Sequence, residues 1–385
     1  MIPARVKKID VFFNHVSSYL EYSKINPIED MDARELFFKK KEDPEFDYLP
    51  LNDTLSIFQQ AVEVIDLGDT PIEKLLKKKQ REIILKMKML QSIGTPSFTK
   101  HSLALYPAPD ANLVAVAKKL VKLPTSQLGE KILRKDALTL IRDSFKLFEF
   151  TWRVYSKDIV TSAIVMAGKK QILLKKSERF YRNYLLRLLV HEIGTHVLRA
   201  ENGLEQPLHM FKNGTASYLE TEEGLAAYNE YRFGFMSNNI LKNYAGRVLA
   251  IDYSLKYGFK KTYTYLLTYF APKVAWKLTL RAKRGLKDTS KRGAFTKDAV
   301  YLRGFLNVLE YAQKRSVDEL YIGKIGISDL SIVKQLPDIK PPRYKIGPLI
   351  NLVAQQDSDV DQGEVAKIQK ILNTYLSKKN NKSEK

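Results

Sequence analysis

Residues 177–203 read SERFYRNYLLRLLVHEIGTHVLRAENG, and this stretch decides the fold and the chemistry expected of the chain. His191 and His196 flank Glu192 in a helix-like segment. A catalytic zinc site needs these groups, because neutral imidazoles bind the ion and a carboxylate beside the open position takes a proton from water. The stretch therefore predicts a zinc peptidase in which Glu192 is the general base.

The two histidines are one residue further apart than in the usual zinc-peptidase pattern, H-E-x-x-H. An undistorted helix turns about 100° per residue, so positions i and i+5 lie about 140° apart and their rings cannot reach one ion. A π-bulge would absorb the extra residue and bring His196 beneath His191. Gly194, which lacks a Cβ and weakens a regular helix, lies where that distortion is needed. The alternative is that the histidines are ordinary helix residues pointing in different directions.

The helix before the histidines is apolar over most of its circumference, owing to Leu185, Leu186, Leu188, Leu189 and Val190. We expect it to be buried, with Ser177 as its N-cap and Asn202-Gly203 at its end. Buried imidazoles and carboxylates are costly unless they are paired or bind a metal, so the burial favours the metal site.

A second acidic motif begins after a loop, where Ser217 and Glu220 form a possible capping box at the start of a helix. Glu222 and Glu223 follow at once. Because they are adjacent, only one can face a metal, and the other would orient a ligand histidine. The alternative is that the pair only compensates the helix dipole.

Composition limits the class of protein. The chain has 385 residues, 44% of them apolar and 28% charged, which describes a globular protein of two or three units or one elaborated domain. The absence of cysteine excludes disulfides and thiolate ligands. No apolar run reaches the roughly 18 residues of a membrane span, and polar residues interrupt the N-terminal apolar stretch, so we expect no membrane association and a cytoplasmic location.

The net charge of +21 would attract nucleic acid, anionic membrane or acidic polypeptides, and charge alone does not choose among them. No nucleic-acid recognition motif is visible, so nucleic-acid binding rests on charge alone and is not expected.

The remaining pattern predicts an α+β, mainly helical fold. Helices are expected within 1–45, 53–93 with a start at 69–71, 130–149 and 360–376, the last followed by a disordered tail. Residues 99–121 are expected to mix a short extended piece, a Pro-rich turn and another helix, and residues 321–350 to be loop-rich. Strands are expected at 150–156, 161–167 and 170–175, with a hairpin turn at 168–170. A strand beside the zinc helix could pair with an extended peptide, or it could only build core.

Four sequence blocks resemble one family. HEIGTH (191–196) and TEEGLAAYNEY (221–231), followed by RAKRGLKDTS (281–290) and FTKDAVYLRG (295–304), resemble blocks of the microtubule-associated tyrosine carboxypeptidases and of their bacterial relatives, the flavohaemoglobin expression-modulating QEGLA-motif proteins. The resemblance covers about residues 45 to 345. Glu222 stands where the bacterial motif has glutamine.

The resemblance implies a zincin-like metallopeptidase core over 46–350, with a small mixed sheet beside the active-site helix, a helical N-terminal arm over 1–45 and a C-terminal helix and basic tail over 351–385. It implies Glu223 as the third ligand, one Zn²⁺ ion, and hydrolysis of C-terminal peptide bonds. The substrate would be a peptide or protein C-terminus, possibly an acidic one. The oligomeric state is not predicted.

Carboxypeptidase action needs a fixed cation for the terminal carboxylate, which arginine binds with two parallel hydrogen bonds. In the two later blocks, Arg281, Arg284 and Lys297 are the candidates, with Tyr301 as a further substrate-binding residue. Tyr228 and Tyr301 are candidate oxyanion donors. The alternative for each basic residue is a surface salt bridge. A competing function is a regulatory or binding protein that keeps the peptidase scaffold.

Overall fold

The computed structural model describes residues 2–28, 30–40, 42–51, 53–127, 129–159, 163–177, 179–356 and 362–383. It is mainly helical with a small sheet, which confirms the predicted α+β class. Two compact units are present. Unit 1 comprises Met1–Lys7, Thr125–Asn238 and Gly304–Lys385, and unit 2 comprises Lys8–Pro124 and Asn239–Arg303. The predicted domain boundaries near residues 45 and 350 stay a prediction.

The helices are, in chain order, α1 (Ala4–Ser17), α2 (Asp30–Lys40), α3 (Thr54–Glu63), α4 (Pro71–Gln91), α5 (Ser97–Leu105), α6 (Ala111–Leu120), α7 (Arg134–Lys146), α8 (Arg182–Leu188), α9 (Leu198–Leu204), α10 (Met210–Asn213), α11 (Tyr218–Arg232), α12 (Asn238–Ser254), α13 (Phe259–Leu266), α14 (Pro272–Lys283), α15 (Val300–Ala312), α16 (Leu330–Val333), α17 (Gly347–Ala354) and α18 (Gln362–Ser383). A π-helical segment, Leu189–Val197, joins α8 to α9. We call it the π segment.

Unit 1 contains the three strands, β1 (Arg153–Lys157), β2 (Ala163–Met166) and β3 (Gln171–Lys175). Their order is β1-β3-β2, with β1 parallel and β2 antiparallel to β3. The predicted strands and the connection between β2 and β3 are confirmed, although residues 161 and 162 lie outside the described part of the chain. β2 packs against the π segment, so the sheet lies beside the helix that carries the histidines. Pairing of a substrate with this sheet stays a prediction.

Unit 2 has an aromatic core around Phe37. Its ring centroid lies 5.3 Å from that of Phe259, 5.0 Å from that of Tyr263 and 5.2 Å from that of Trp276. These rings join α2, α13 and α14. Rings packed edge to face at such distances stabilise a core beyond the area that they bury.

The helix that carries the histidines begins at Arg182, so the prediction of an N-cap at Ser177 is wrong. The backbone before it is extended, because Phe180 and Tyr181 pair with residues 130–132. That pairing satisfies the backbone groups which a helix start near Ser177 would have used.

The predicted helix end at Asn202-Gly203 is also displaced, since α9 continues to Leu204. The side chain of Asn202 exchanges two hydrogen bonds with the backbone of Tyr344 instead of capping the helix. A Cβ at Gly203 would lie 2.3 Å from the carbonyl oxygen of Phe211, so this glycine permits close approach of the backbone.

The expected capping box at Ser217 and Glu220 does not form. Ser217 adopts a φ of 59° and makes no side-chain cap hydrogen bond. Glu220 instead accepts a hydrogen bond from the side chain of Asn307 at 2.6 Å. Tertiary contact has therefore replaced the local motif.

Two further expectations differ from the structure. In the stretch 99–121, residues 99–105 belong to helix α5 and not to an extended piece, whereas the helix expected there is present as α6. α18 continues to Ser383, so most of the tail that was expected to be disordered is helical, while residues 384 and 385 lie outside the described ranges. The tail contains neither glycine nor proline, so nothing in it stops the helix. Within the described residues, no helix has both the length and the apolar character needed to span a membrane.

Candidate metal centre

The π segment carries the predicted site. The helix that starts at Arg182 changes to the π form over Leu189–Val197 and returns to the α form in α9. Within it, the backbone N–H of Leu198 donates to the carbonyl of Ile193, five residues earlier. The predicted distortion is confirmed, and it extends over nine residues rather than a single turn.

Gly194 lies inside the π segment, as expected. A Cβ at this position would come within 2.8 Å of Ile346 Cδ1 and 3.2 Å of Leu349 Cδ2. The residue therefore also lets the side chains that precede and begin α17 pack closely against the π segment.

Three side chains converge beside the π segment: His191, His196 and Glu223. Their potential ligand atoms all lie within 4.8 Å of one another. His191 Nε2 is 3.8 Å from Glu223 Oε2, and the two imidazole centroids are 5.0 Å apart. Glu223 reaches the histidines because α11 packs against the π segment. The structure thus brings together the three residues that the sequence predicted as ligands.

The other ring nitrogen of each histidine contacts a carboxylate. His191 Nδ1 lies 2.5 Å from Glu230 Oε1, and His196 Nδ1 lies 2.8 Å from Glu222 Oε1. Carboxylates in this position fix the tautomer and the orientation of a ligand imidazole. Both rings therefore keep Nε2 for a metal, and the predicted orienting role of the second glutamate matches this geometry.

One buried and two partly buried cations hold these two carboxylates. Glu222 contacts Arg199 and lies 3.0 Å from Lys324 Nζ, while Glu230 lies 2.7 Å from Arg187 Nη1. Burial alone would raise the pKa of both carboxyl groups, but the cations outweigh it and hold each pKa well below the usual range. Both groups are therefore ionised and act as hydrogen-bond acceptors.

The same arrangement changes the basicity of His191. Burial disfavours its imidazolium form, but the hydrogen bond and the negative charge of Glu230 outweigh burial and raise the pKa of His191 to about 9. Without a metal the surroundings thus favour the imidazolium form of His191, and a metal ion would have to displace the proton on Nε2.

Glu192 follows the first histidine in the π segment and is only partly buried. A general base must exchange protons with water, and partial exposure permits that. Its negative charge contributes to the raised pKa of His191, which indicates that the two groups are near each other.

The residues present fit a zinc ion. Two imidazole nitrogens and one carboxylate oxygen form a typical catalytic donor set, which leaves one position for water. The carboxylates on both Nδ1 atoms supply the supporting contacts that such sites normally have.

The predicted substrate-binding residues lie in unit 2, at Arg281, Arg284, Lys297 and Tyr301. Arg281 donates to both oxygens of the buried Asp298, from Nε at 2.5 Å and from Nη2 at 3.0 Å. Arg284 Nη2 lies 3.5 Å from the same carboxylate. The two arginines therefore share one counter-ion, and their role towards a substrate stays a prediction.

The sequence interpretation missed the residues that support the histidines. A signal existed for Glu230, because it lies seven residues after Glu223 and thus on the same face of α11. Arg187 and Arg199 also carried a signal, because they lie four residues before His191 and three after His196 on the same helix. Lys324 carried none, since tertiary packing alone brings it to the site. The sequence also gave no indication of Arg247, which lies near the residues predicted to bind the substrate carboxylate. Its guanidinium carbon is 4.3 Å from the centroid of the Tyr301 ring.

Comparison with known proteins agrees with the motifs. The family model described as microtubule-associated tyrosine carboxypeptidase matches residues 35–355, which is most of the chain. The chain belongs to this family. The resemblance seen in the four sequence blocks is thereby confirmed.

Curated members of the microtubule-associated tyrosine carboxypeptidase family align with about half of the chain. Microtubule-associated tyrosine carboxypeptidase 1 of Mus musculus is 32% identical over 187 residues, 47% of this chain and 39% of the mouse protein. The Homo sapiens protein of the same name is 32% identical over 182 residues, 46% of this chain and 38% of that protein. A second Homo sapiens protein, named a putative tyrosine carboxypeptidase, is 31% identical over 164 residues, 40% of this chain and 30% of that protein. The chain thus spans about two-fifths of the length of the first two relatives.

Proposed function

We propose that the chain is a zinc-dependent carboxypeptidase with a zincin-like core, which hydrolyses C-terminal peptide bonds of a peptide or protein. The observation that carries this proposal is the convergence of His191, His196 and Glu223, whose potential ligand atoms lie within 4.8 Å of one another. The names of the relatives, which are tyrosine carboxypeptidases, support the choice of reaction.

His191 and His196 through Nε2, together with Glu223, would hold the zinc ion, which when bound supplies a Lewis acid that acidifies water and polarises the scissile carbonyl. Glu230 and Glu222 keep the two rings in the tautomer that presents Nε2. The cations around them keep both carboxylates ionised. The protein would therefore hold both rings in the required orientation, and metal binding would displace the proton from His191 Nε2.

Glu192 is the proposed general base. It takes one proton from the attacking water as the new carbon–oxygen bond forms, and it returns that proton to the amine nitrogen as the carbon–nitrogen bond breaks. Water is thus divided between the new carboxylate and the released amino acid. Tyr228 and Tyr301 stay the proposed donors to the developing oxyanion.

Arg281, Arg284 and Lys297 are the proposed partners of the substrate's terminal carboxylate. Asp298 contacts both Arg281 and Arg284, so it balances one of their two positive charges and a net positive charge remains. The overall charge of +21 would also favour substrates with acidic C-terminal segments.

The test is metal analysis of the purified protein combined with cleavage of a peptide library, for the wild type and for Glu192→Gln. We expect about one zinc ion per chain in both proteins. Glu192→Gln should lower the cleavage rate by about 10²- to 10⁴-fold, because it removes the proton carrier and spares the ligands. Glu205→Gln, which changes a partly exposed glutamate 3.7 Å from Lys340 Nζ, is the matched control and should cleave at the wild-type rate.

A wild-type protein without metal would contradict the proposal. Zinc-loaded protein that binds C-terminal peptides without cleaving them would instead favour a binding protein that keeps the peptidase scaffold.

A further inference from the structure

The return from the π form to the α form leaves one backbone carbonyl without a helical partner. The N–H of Leu198 donates to the carbonyl of Ile193, five residues back. The same N–H also contacts the carbonyl of Thr195. In the α register, which α9 adopts from Leu198 onwards, each N–H pairs with the carbonyl four residues back, and this register would pair Arg199 with Thr195. The carbonyl of Gly194 is skipped at this change of register.

Tyr321 supplies the missing partner. Its hydroxyl donates to the carbonyl oxygen of Gly194 at 2.7 Å. Tyr321 belongs to the 3-10 segment Val317–Ile322 of unit 1, and its side chain is buried. A buried carbonyl needs a partner, and here a side chain from a distant segment provides it.

Asn229 holds this arrangement from α11. Its amide donates at 2.9 Å to the Tyr321 hydroxyl and at 2.9 Å to the Thr195 hydroxyl. Thr195 in turn lies 3.4 Å from the carbonyl of Val190 in the same π segment. Each hydroxyl accepts from Asn229 and directs its own hydrogen to a carbonyl of the π segment. Asn229, Thr195 and Tyr321 are all buried, so water does not replace these bonds.

We propose that Tyr321 and Asn229 are positioning residues for the metal centre, because they stabilise the π register that places His196 beside His191. This inference rests on the proposed function, since it assigns the two residues a role towards the metal. Without the hydroxyl of Tyr321, the π register would keep an unsatisfied buried carbonyl, and the α register would become more favourable by comparison. In the α register the two imidazoles would point about 140° apart.

The test compares metal binding of the metal-free wild type and of Tyr321→Phe, which keeps the ring and removes only the hydroxyl. Zn²⁺ affinity is measured by competition with a chromophoric chelator, and the visible absorption of the Co²⁺-loaded protein reports the ligand geometry. We expect Tyr321→Phe to weaken Zn²⁺ binding by about 10- to 100-fold, as loss of supporting contacts typically does. We also expect an altered Co²⁺ spectrum and faster amide hydrogen exchange across residues 189–198.

Tyr311→Phe is the matched control. This substitution also removes a hydroxyl hydrogen bond of 2.7 Å, which Tyr311 donates to Glu319. Glu319 lies in the same 3-10 segment as Tyr321, but this bond does not involve the π segment. Its Zn²⁺ affinity should stay within about twofold of the wild type, because the metal ligands keep their supporting contacts. A purely structural role of Tyr321 would lower thermal stability in both variants and leave Zn²⁺ affinity unchanged, and that result would overturn the inference.

The outcomes separate this inference from the proposed function. A wild type that binds no Zn²⁺ refutes both. A wild type that binds Zn²⁺ together with a Tyr321→Phe protein of equal affinity refutes only the positioning role. If Tyr321→Phe does not fold, Asn229→Ala replaces it, because it keeps the hydroxyl and removes the amide that holds it. Unchanged Zn²⁺ affinity in Asn229→Ala would then contradict the inference.

Discussion

Some of the carboxylates in this protein each contact two cations. Glu222 in unit 1 contacts Arg199 and Lys324, and Asp298 in unit 2 contacts Arg281 and Arg284. Removing such a carboxylate leaves buried or partly buried positive charges uncompensated, which costs more than the ion pair itself contributes. These residues therefore have a larger effect on stability than their small number suggests.

Asp298→Asn gives a pH-dependent prediction. Burial would raise the pKa of Asp298, but Arg281 and Arg284 outweigh it and hold that pKa far below its usual range. The resulting stabilisation is complete above the unfolded pKa of about 3.8 and is lost as the pH falls towards the folded pKa. We expect Asp298→Asn to lower the free energy of unfolding by about 2 kcal/mol at pH 7. The expected loss is no larger because Arg281 is partly exposed, and solvent screens its charge.

Urea unfolding at pH 7 and at pH 3 measures this effect. The difference in the free energy of unfolding between wild type and Asp298→Asn should be about 1 kcal/mol smaller at pH 3 than at pH 7. At pH 3 the Asp298 carboxyl group of the unfolded wild type is largely protonated, so the folded ion pair stabilises less. Asp143→Asn, which removes an exposed contact with Lys146, should change stability by less than about 0.5 kcal/mol at either pH. A difference for Asp298→Asn that does not depend on pH would argue against the ion pair.

Sequence alone could predict which residues come together at the candidate site when those residues belong to local motifs. His191, Glu192 and His196 form one motif, and Glu223 belongs to a second motif that resembles a family block. It could not predict that Lys324 approaches Glu222 or that Tyr321 approaches Gly194, because those contacts join segments about 100 or more residues apart.

At the scale of the helices, α11 and α15 cross with their backbones in close contact. A Cβ at Gly224 would lie 2.3 Å from the backbone of Gly304, and one at Gly304 would lie 2.0 Å from the carbonyl oxygen of Glu220. Only glycine permits this distance. The glycine that follows Glu223 in the motif therefore sets how closely α11 approaches its neighbour.

Gly224→Ala should force α11 and α15 apart and displace Glu223 with them. We expect a loss of about 3 kcal/mol in the free energy of unfolding, the upper end for overpacking, and weaker Zn²⁺ binding. Gly347→Ala is the control, because a Cβ there meets nothing within 4 Å and its effect should be below about 0.5 kcal/mol. Chemical unfolding and a Zn²⁺ titration measure both variants, and a stable Gly224→Ala protein with normal affinity would refute this role for the glycine.

Strands could be predicted where alternation was strong, as for the three strands of the sheet. The start of α4 was predicted from a cap signal, and the Thr70 side chain does accept a hydrogen bond from the Glu73 N–H. Other local cap signals were less reliable. Ser177 and Ser217 both fit N-cap patterns, yet backbone pairing at Phe180 and the contact between Glu220 and Asn307 took their place. The length of the π segment could not be predicted either, and the bonds that Asn229 and Tyr321 make with it come from distant parts of the chain.

At the scale of the whole molecule, two compact units alternate along the chain. Unit 1 uses residues from the N-terminus, the middle and the C-terminus, and unit 2 uses the segments between them. Hydrophobic periodicity describes single elements and does not reveal which distant segments share a core. The mixed α+β class could be predicted from the elements, whereas this alternation could not.

The central claim is that His191, His196 and Glu223 bind one zinc ion from a π-helical register. X-ray diffraction from crystals of the Zn²⁺-loaded protein, recorded on both sides of the zinc absorption edge, tests it most directly. We expect one anomalous peak about 2.0–2.2 Å from Nε2 of both histidines and from a carboxylate oxygen of Glu223. A regular α-helix with diverging imidazoles, or zinc bound elsewhere, would contradict it.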